Sequence, residues 1–282
     1  IEGGKGVGRV TKPGLDQPVG NAAINHVPRE MIENEVRAVA ALADFNGVIS
    51  VLISVPEGGQ IAEKTFNPRL GIIGGISIIG TTGIVEPMSS QALLDTIKVE
   101  LTQRRALGFD CAAITPGNYG RDFMKEAWNY DIEKSVKCSN FIGQTIDMAA
   151  ELGFKRLLLT GHIGKLVKVS GGIMNTHSKE ADARMELIAA SALKEGADKA
   201  TLLKILDCAV TEDAVSILEK AGIKEKVMSR IMDKIMFYLE KRSSGRLDID
   251  CVMYSNEYGL LAESEGAEKW LTLLAREAEQ QI

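Results

Sequence analysis

The chain has 282 residues, room for two domains or one large one, and its 45% hydrophobic and 25% charged residues are ordinary for a globular protein. A formal net charge of -5 argues against general nucleic-acid binding, which favours basic surfaces, yet leaves room for local basic clusters around an acidic small molecule. No apolar run reaches the roughly 18–20 residues that span a membrane, and Cys111, Cys138, Cys208 and Cys251 form no CxxC pair, so free thiols in a reducing cytoplasm are the plain reading. The opening Ile1-Glu2-Gly3-Gly4 is neither a signal peptide nor a natural initiator, and we expect further chain upstream.

In chain order, residues 28–43 read as a helix with Met31, Val36, Val39 and Leu42 available for burial. The β-branched run 48–55 reads as a strand stopped by Pro56-Glu-Gly-Gly59, with 60–66 returning antiparallel to it. Residues 70–79 are β-like but interrupted by Gly71, Gly74 and Gly75, which predicts bulges or close backbone approach. Ser89 or Ser90 then caps a helix carrying Leu93, Ile97 and Leu101 on one face, and Gly108 ends it.

Beyond Gly108 the pattern changes. Short apolar strands at 109–114, 134–138, 155–159 and 247–253 alternate with amphipathic helices: one through Ile142, Ile146 and Ala149, then 179–195, 199–209, 211–221 and 224–240. Thr211 is expected to cap the 211–221 helix, with Glu212 and Asp213 in its favourable first turn. A last helix is expected after Ser255-Asn256. Such alternation implies a parallel sheet covered on both faces, so residues 1–106 form an α+β domain and 107–282 an α/β domain.

Each strand of the second domain ends in a small polar turn: Thr115-Pro-Gly117-Asn118, Ser139-Asn140, Thr160-Gly161-His162 and Ser255-Asn256. Ligands of open parallel sheets bind outside the carboxyl ends of the strands, so Asn118, Asn140, His162 and Asn256 are expected to face one crevice. Backbone N–H groups of the following helices add donors there, although capping is the commonest task of Asn, Ser and Thr. Gly161-His-Ile-Gly-Lys165 is not a phosphate loop, because GxxxxGK[ST] would need Gly at Leu159 and Ser or Thr at Leu166. Gly3 to Gly8 likewise lacks the dinucleotide-binding spacing.

A polar cluster follows at Gly171-Gly172 and Asn175 to Ser178, with Ser178 a candidate cap for the next helix. His162 and His177 lack a third ligand at helical spacing, so no protein-bound metal is expected. No GxSxG elbow supplies a nucleophile. Gly80-Thr81-Thr82-Gly83 either brings backbone donors to a ligand or makes a tight turn at the domain junction.

Read in order, several segments resemble the CbiD family: residues 6–15, 23–29, 67–83, Pro116-Gly-Asn-Tyr-Gly120, 161–168 and Gly172-Ile-Met-Asn-Thr-His-Ser178. The resemblance implies a cobalt-precorrin-5B C1-methyltransferase of anaerobic cobalamin synthesis, using S-adenosylmethionine as methyl donor. It also implies a first domain similar to a permuted ribosomal-S5-domain-2-like fold, and a second with a four-stranded parallel sheet. Family members carry an upstream Thr-Thr-Gly-x-Cys segment, and this chain begins after it.

On that resemblance, Gly117, Asn118, Tyr119, Asn140, Thr160, Gly161 and Asn256 are candidates for holding the methyl donor. Lys12, Arg29, Arg69, Thr81, Thr82, Lys165 and Lys168 are candidates for the carboxylates of the cobalt-precorrin, whose cobalt arrives already chelated. His162 and His177 are candidates for managing a proton. Nucleic-acid and membrane partners are not expected, and a homo-oligomer stays open. Two other classes also stay open at this point. One is a nucleotide-binding phosphotransferase, weakened by the missing phosphate-loop pair, and the other is a non-catalytic corrinoid carrier.

Overall fold

A computed structural model describes residues 1–80, 90–117 and 121–271. The chain forms two compact units, Ile1–Gly108 and Phe109–Ile282. Among the described residues, no helix is long and apolar enough to cross a membrane.

Unit 1 holds the short strands β1 (Glu2–Gly3), β2 (Arg9–Val10), β3 (Leu52–Ile53) and β4 (Ile72–Ile73), with helices α1 (His26–Leu42), α2 (Gly58–Ala62), α3 (Asn67–Leu70) and α4 (Ser90–Ala106). β1 pairs parallel with β3, and β2 pairs antiparallel with β4. Two small apolar clusters hold it together. Val7, Ala22 and Ile24 form one, backed by Ile53, Val55 and Ile78; Val10, Ala23 and Ile72 form the other.

The glycines here serve backbone-to-backbone packing. Gly6 sits at φ +76, and a side-chain carbon on it would run into the Val55 carbonyl oxygen. Added carbons at Gly58 and Gly75 would both run into the Gly6 carbonyl oxygen. Three chain segments therefore meet at a point that admits no Cβ. Close backbone approach was the expectation for Gly75, and the structure extends it to Gly6 and Gly58.

Other expectations for unit 1 need correcting. The strand over 48–55 shrinks to Leu52–Ile53, and Val48 is 95% exposed, because β-branched composition makes a strand only where a partner supplies the ladder. Residues 60–66 do not return as a strand; Gly58, pressed against Gly6, opens α2 instead. In α1, Met31, Val39 and Leu42 are exposed and Pro28 is its buried residue. Apolar spacing names the face of a helix without showing that anything covers it. Ile97 and Leu101 of α4 are buried as its spacing requires, while Ser89 lies outside the described residues.

Unit 2 carries β5 (Cys111–Thr115), α5 (Arg121–Trp128), β6 (Val136–Lys137), α6 (Ile142–Glu151), β7 (Arg156–His162) and α7 (Ile163–Val169). α8 (Arg184–Lys194), α9 (Lys199–Leu206), α10 (Thr211–Lys220) and α11 (Lys224–Ser243) follow, then β8 (Asp248–Ser255) and β9 (Gly259–Glu263). The sheet order is β6-β5-β7-β8-β9. The four strands read from the sequence are parallel to one another, but the sheet is five-stranded and mixed, because β9 adds to β8 antiparallel. This corrects the four-stranded parallel sheet. Gly259, at φ +63, closes a hairpin where a helix was expected directly after Asn256.

β7 is the middle strand. It pairs with β8 over seven residues and with β5 over four, and Leu157, Leu158 and Leu159 are 2%, 1% and 0% exposed. Burying each leucine stabilises the fold by roughly 1.5–3 kcal/mol. One face of the sheet packs Ala113, Leu158, Val252 and Tyr254 against Met124, Tyr130 and Ile132. α11 packs against β8 and also touches α6, α7 and α8.

Three local expectations for unit 2 are also corrected. The turn at 160–162 is strand, since β8 pairs with β7 as far as His162. Thr211 is the first residue of α10 rather than its cap, which is Val210. Ser178 lies well before α8, whose cap is Ala183.

Gly6→Ala should destabilise the protein by about 3–5 kcal/mol, combining backbone strain with overpacking. Gly20→Ala is the control, because Gly20 shares the left-handed backbone (φ +93) but has nothing within 4 Å of an added carbon. It should cost about 1–2 kcal/mol. Urea unfolding of both variants reads the difference, and equal losses would contradict the packing account.

Candidate functional site

The parallel strands of unit 2 end side by side, and the site is built from what each end presents. β7 runs into α7 without a loop: His162 is the last residue of the strand and the N-cap of the helix. Its Nδ1 accepts from the Gly164 N–H at 3.1 Å, and its Nε2 lies 2.9 Å from Glu212 Oε1 at the start of α10. An acceptor at Nδ1 places the proton of the neutral ring on Nε2, which then donates to Glu212. Burial holds the His162 pKa below the ordinary histidine value, with Glu212 pulling the other way. The ring also meets Tyr254 of β8 edge-on, with centroids 6.1 Å apart.

Two residues back on the same face of β7, Thr160 is fully buried and its Oγ1 has no hydrogen-bond partner among the described residues. On the neighbouring strands, Thr115 donates to the Gly117 carbonyl at 2.9 Å and is hydrogen-bonded to the Tyr254 hydroxyl, whose pKa burial pushes up. Lys165, in the first turn of α7, donates to the Pro116 carbonyl at 2.9 Å and to Asn140 Oδ1 at 2.8 Å. It thereby ties the ends of β5, β6 and β7 together. Burial, with help from the Lys168 charge, holds the Lys165 ammonium below the usual lysine range. Burial pushes the Cys138 thiol up to about 12, which rules it out as a thiolate nucleophile at neutral pH.

The expected residues fall into distinct groups. Gly117, Asn140, Thr160, Gly161, His162 and Lys165 lie at or beside the ends of β5, β6 and β7. Asn256 is exposed in the β8–β9 turn. Asn118, Tyr119, Thr81 and Thr82 lie outside the described residues. His177 is exposed, and its Nδ1 accepts from the Lys179 N–H at 3.0 Å.

Lys168 is buried, donating to the Thr176 and Ala181 carbonyls at 3.3 and 2.8 Å, with Asp182 3.9 Å away. It clamps its own loop. In unit 1, Arg29 donates to the Ile24 and Ile1 carbonyls, and Arg69 meets Glu100 with both Nε (2.8 Å) and Nη2 (3.3 Å). Lys12 is exposed and donates to the Arg69 carbonyl at 3.0 Å.

Glu212 and Tyr254 are the residues of the cluster that sequence reasoning did not select. Glu212 stood out only as a favourable charge in a helix first turn. Nothing local ties it to a histidine fifty positions earlier. A separate cavity of about 340 Å³ lies between α11 and the β8–β9 edge, lined among others by Asp233, Glu240, Asp250, Glu263 and Glu265. Its carboxylates suit no anionic ligand.

Residues 1–87 match the family model described as CbiD, and residues 175–265 match that of the CbiD C-terminal domain. A protein of Ruminiclostridium cellulolyticum named cobalt-precorrin-5B C(1)-methyltransferase is 48% identical over 256 residues, which cover 91% of this chain and 67% of that one. Proteins of the same name from Alkaliphilus metalliredigens and Thermoanaerobacter sp. are 44% and 46% identical, covering 98% and 96% of this chain and 72% and 73% of theirs. The crystal structure of a cobalamin biosynthesis protein (cbiD) from Archaeoglobus fulgidus is 27% identical, covering 66% of this chain and 57% of that one, with a TM-score of 0.27.

The histidines should titrate on opposite sides of the ordinary value. Hydrogen bonding and charge attraction from Asp16 raise the His26 pKa, whereas burial lowers that of His162. The depressed value means that the unfolded chain takes up a proton first as pH falls below about 6.5. The stability owed to neutral His162 is therefore complete above that pH and declines as pH drops toward its folded value. Ring ¹⁵N NMR should report His162 as the Nε2–H tautomer with a midpoint below about 6.5, and His26 with one above it. A His162 midpoint above that value would contradict burial outweighing the Glu212 charge.

Proposed function

This chain belongs to the CbiD family, and from that membership we propose that it methylates C1 of cobalt-precorrin-5B, giving cobalt-precorrin-6A, with S-adenosylmethionine as donor at the strand ends of unit 2. The reaction follows from the name its relatives carry at 41–48% identity. The location rests on one observation: the end of β7 combines a buried hydroxyl without a partner among the described residues, an anionic side chain and a partly engaged ammonium.

That set fits the donor's chemistry. S-adenosylmethionine supplies an electrophilic methyl on a sulfonium, and the bonding pair leaves with sulfur as the ring carbon takes the methyl. Such a displacement needs alignment to about 3–3.5 Å between reacting atoms and little proton traffic. Thr160 Oγ1, the Gly161 backbone, Gly117 and Asn140 supply neutral polar contacts to a donor, and Asn118, Tyr119 and Asn256 belong to the same motifs.

His162 acts in this reading by position rather than by proton transfer, because both ring nitrogens are engaged. His177, exposed and with its Nδ1 accepting from the Lys179 N–H, is the alternative proton carrier. The substrate's carboxylates call for cations with donors to spare. Lys165 lies at the strand ends themselves and Lys12 is exposed, which favours these two over Lys168, buried against its own loop, and over Arg29 and Arg69, turned toward backbone carbonyls and Glu100.

Incubation with cobalt-precorrin-5B and methyl-labelled donor should place the label on C1 of the macrocycle. No transfer, or label on another carbon, would overturn the assignment. Lys165→Met should raise KM for the tetrapyrrole about tenfold while changing donor affinity less than about twofold. An unchanged KM would remove Lys165 from the site.

A further inference from the structure

Within the strand-end site just proposed, Glu212 collects donors from three elements. The His162 Nε2–H at the end of β7 reaches Oε1 at 2.9 Å, and the Ser255 hydroxyl at the end of β8 reaches the same oxygen at 3.5 Å. The Thr211 hydroxyl donates to Oε2 at 2.9 Å. His162 and Tyr254 are register partners, so a side chain from α10 bridges two adjacent strand ends.

These hydrogen bonds explain where the side chain is held, but they do not require its charge. A glutamine oxygen would accept from His162, and a neutral side chain would satisfy the hydroxyls. Among the described residues, the side chains that reach the Glu212 carboxylate are His162, Thr211 and Ser255, with no Lys or Arg within ion-pair distance. Burial favours the uncharged His162 ring. Arg184, whose field includes Glu212, meets Asp182 with both Nε and Nη2 at 2.8 Å. Glu212 therefore places a carboxylate at the ends of β7 and β8, in a chain position where a neutral side chain would serve the fold.

We propose that Glu212 is the positioning and specificity-determining residue of this site: it fixes the His162 ring as the Nε2–H tautomer and presents a negative charge that favours a cationic sulfonium over the neutral thioether left after methyl transfer. The inference rests on the reading that the donor binds at these strand ends. Transfer of the methyl removes the ligand's positive charge, so the same carboxylate that holds the donor loosens its hold on the product. Tyr254, which meets the His162 ring edge, backs the imidazole from β8 and keeps its plane fixed.

Calorimetric titration of S-adenosylmethionine and S-adenosylhomocysteine into the full chain and its Glu212→Gln variant separates charge from shape. The variant should weaken sulfonium binding by about five- to tenfold, the loss of one nearby charge in a partly solvated site, and change thioether binding less than about twofold. Equal weakening of both ligands, or no change in either, would overturn the charge role. Wild-type protein that binds neither ligand would instead overturn the donor reading on which the proposal stands. If Glu212→Gln fails to fold, the wild-type preference for sulfonium over thioether is measured between 50 and 500 mM salt, on the order of a threefold change in screening length. That preference should shrink with salt; a constant preference would overturn the proposal.

Discussion

Everything in the candidate site depends on β7 being paired along both edges. Seven residues are registered against β8 and four against β5, so the strand cannot slip without moving its whole apolar face out of the core. The leucine triplet at 157–159 anchors that register. Beyond it the strand continues straight into α7, which leaves His162 two tasks at once. Its backbone closes the ladder to Tyr254, and its Nδ1 caps the helix. With one nitrogen taken in this way, the other points to whatever the next element offers, and α10 offers Glu212. A strand end, a cap and a hydrogen bond to a carboxylate thus coincide in one residue.

The same logic sorts the basic residues. Positive charge in a motif is informative only when its donors are left over after the fold has used them. Lys168 fills a buried position with two carbonyls of its own loop, and Arg29 and Arg69 are turned toward backbone or Glu100. Lys165 differs because its acceptors, Pro116 and Asn140, belong to two other strand ends. It stitches the ends of β5, β6 and β7 together. Glu212 does the corresponding work across β7 and β8 with opposite charge. The two together make a mouth that is polarised along the strand ends, which suits ligands carrying both carboxylates and a sulfonium.

The four parallel strands of unit 2 were legible in the sequence, because buried strands are continuous apolar runs and their flanking helices are strongly amphipathic. The polar character of the strand ends was legible for the same reason. β9 was not, since Gly259-Leu-Leu-Ala-Glu263 is short and suits helix or strand equally until Gly259 adopts its left-handed backbone. Unit 1 was read less well. Its strands are two residues long and held by isolated bridges and glycine contacts, so no periodicity marks them. Gly58 reads as part of a turn, Gly6 as part of a failed dinucleotide fingerprint and Gly75 as a bulge or close backbone approach, and in the structure each answers to another backbone. Glu212 was out of reach because its importance lies in a pairing fifty residues distant, and sequence spacing carries no record of that.

The central claim is that the methyl donor sits at the carboxyl ends of β5, β6, β7 and β8. Amide chemical-shift mapping of the ¹⁵N-labelled chain during titration with S-adenosylhomocysteine tests it most directly. The account predicts that the perturbed amides cluster at Gly117, Asn140, Thr160 to Lys165, Glu212 and Ser255. Perturbations confined to the acidic cavity of α11 and β9, or to unit 1, would contradict it.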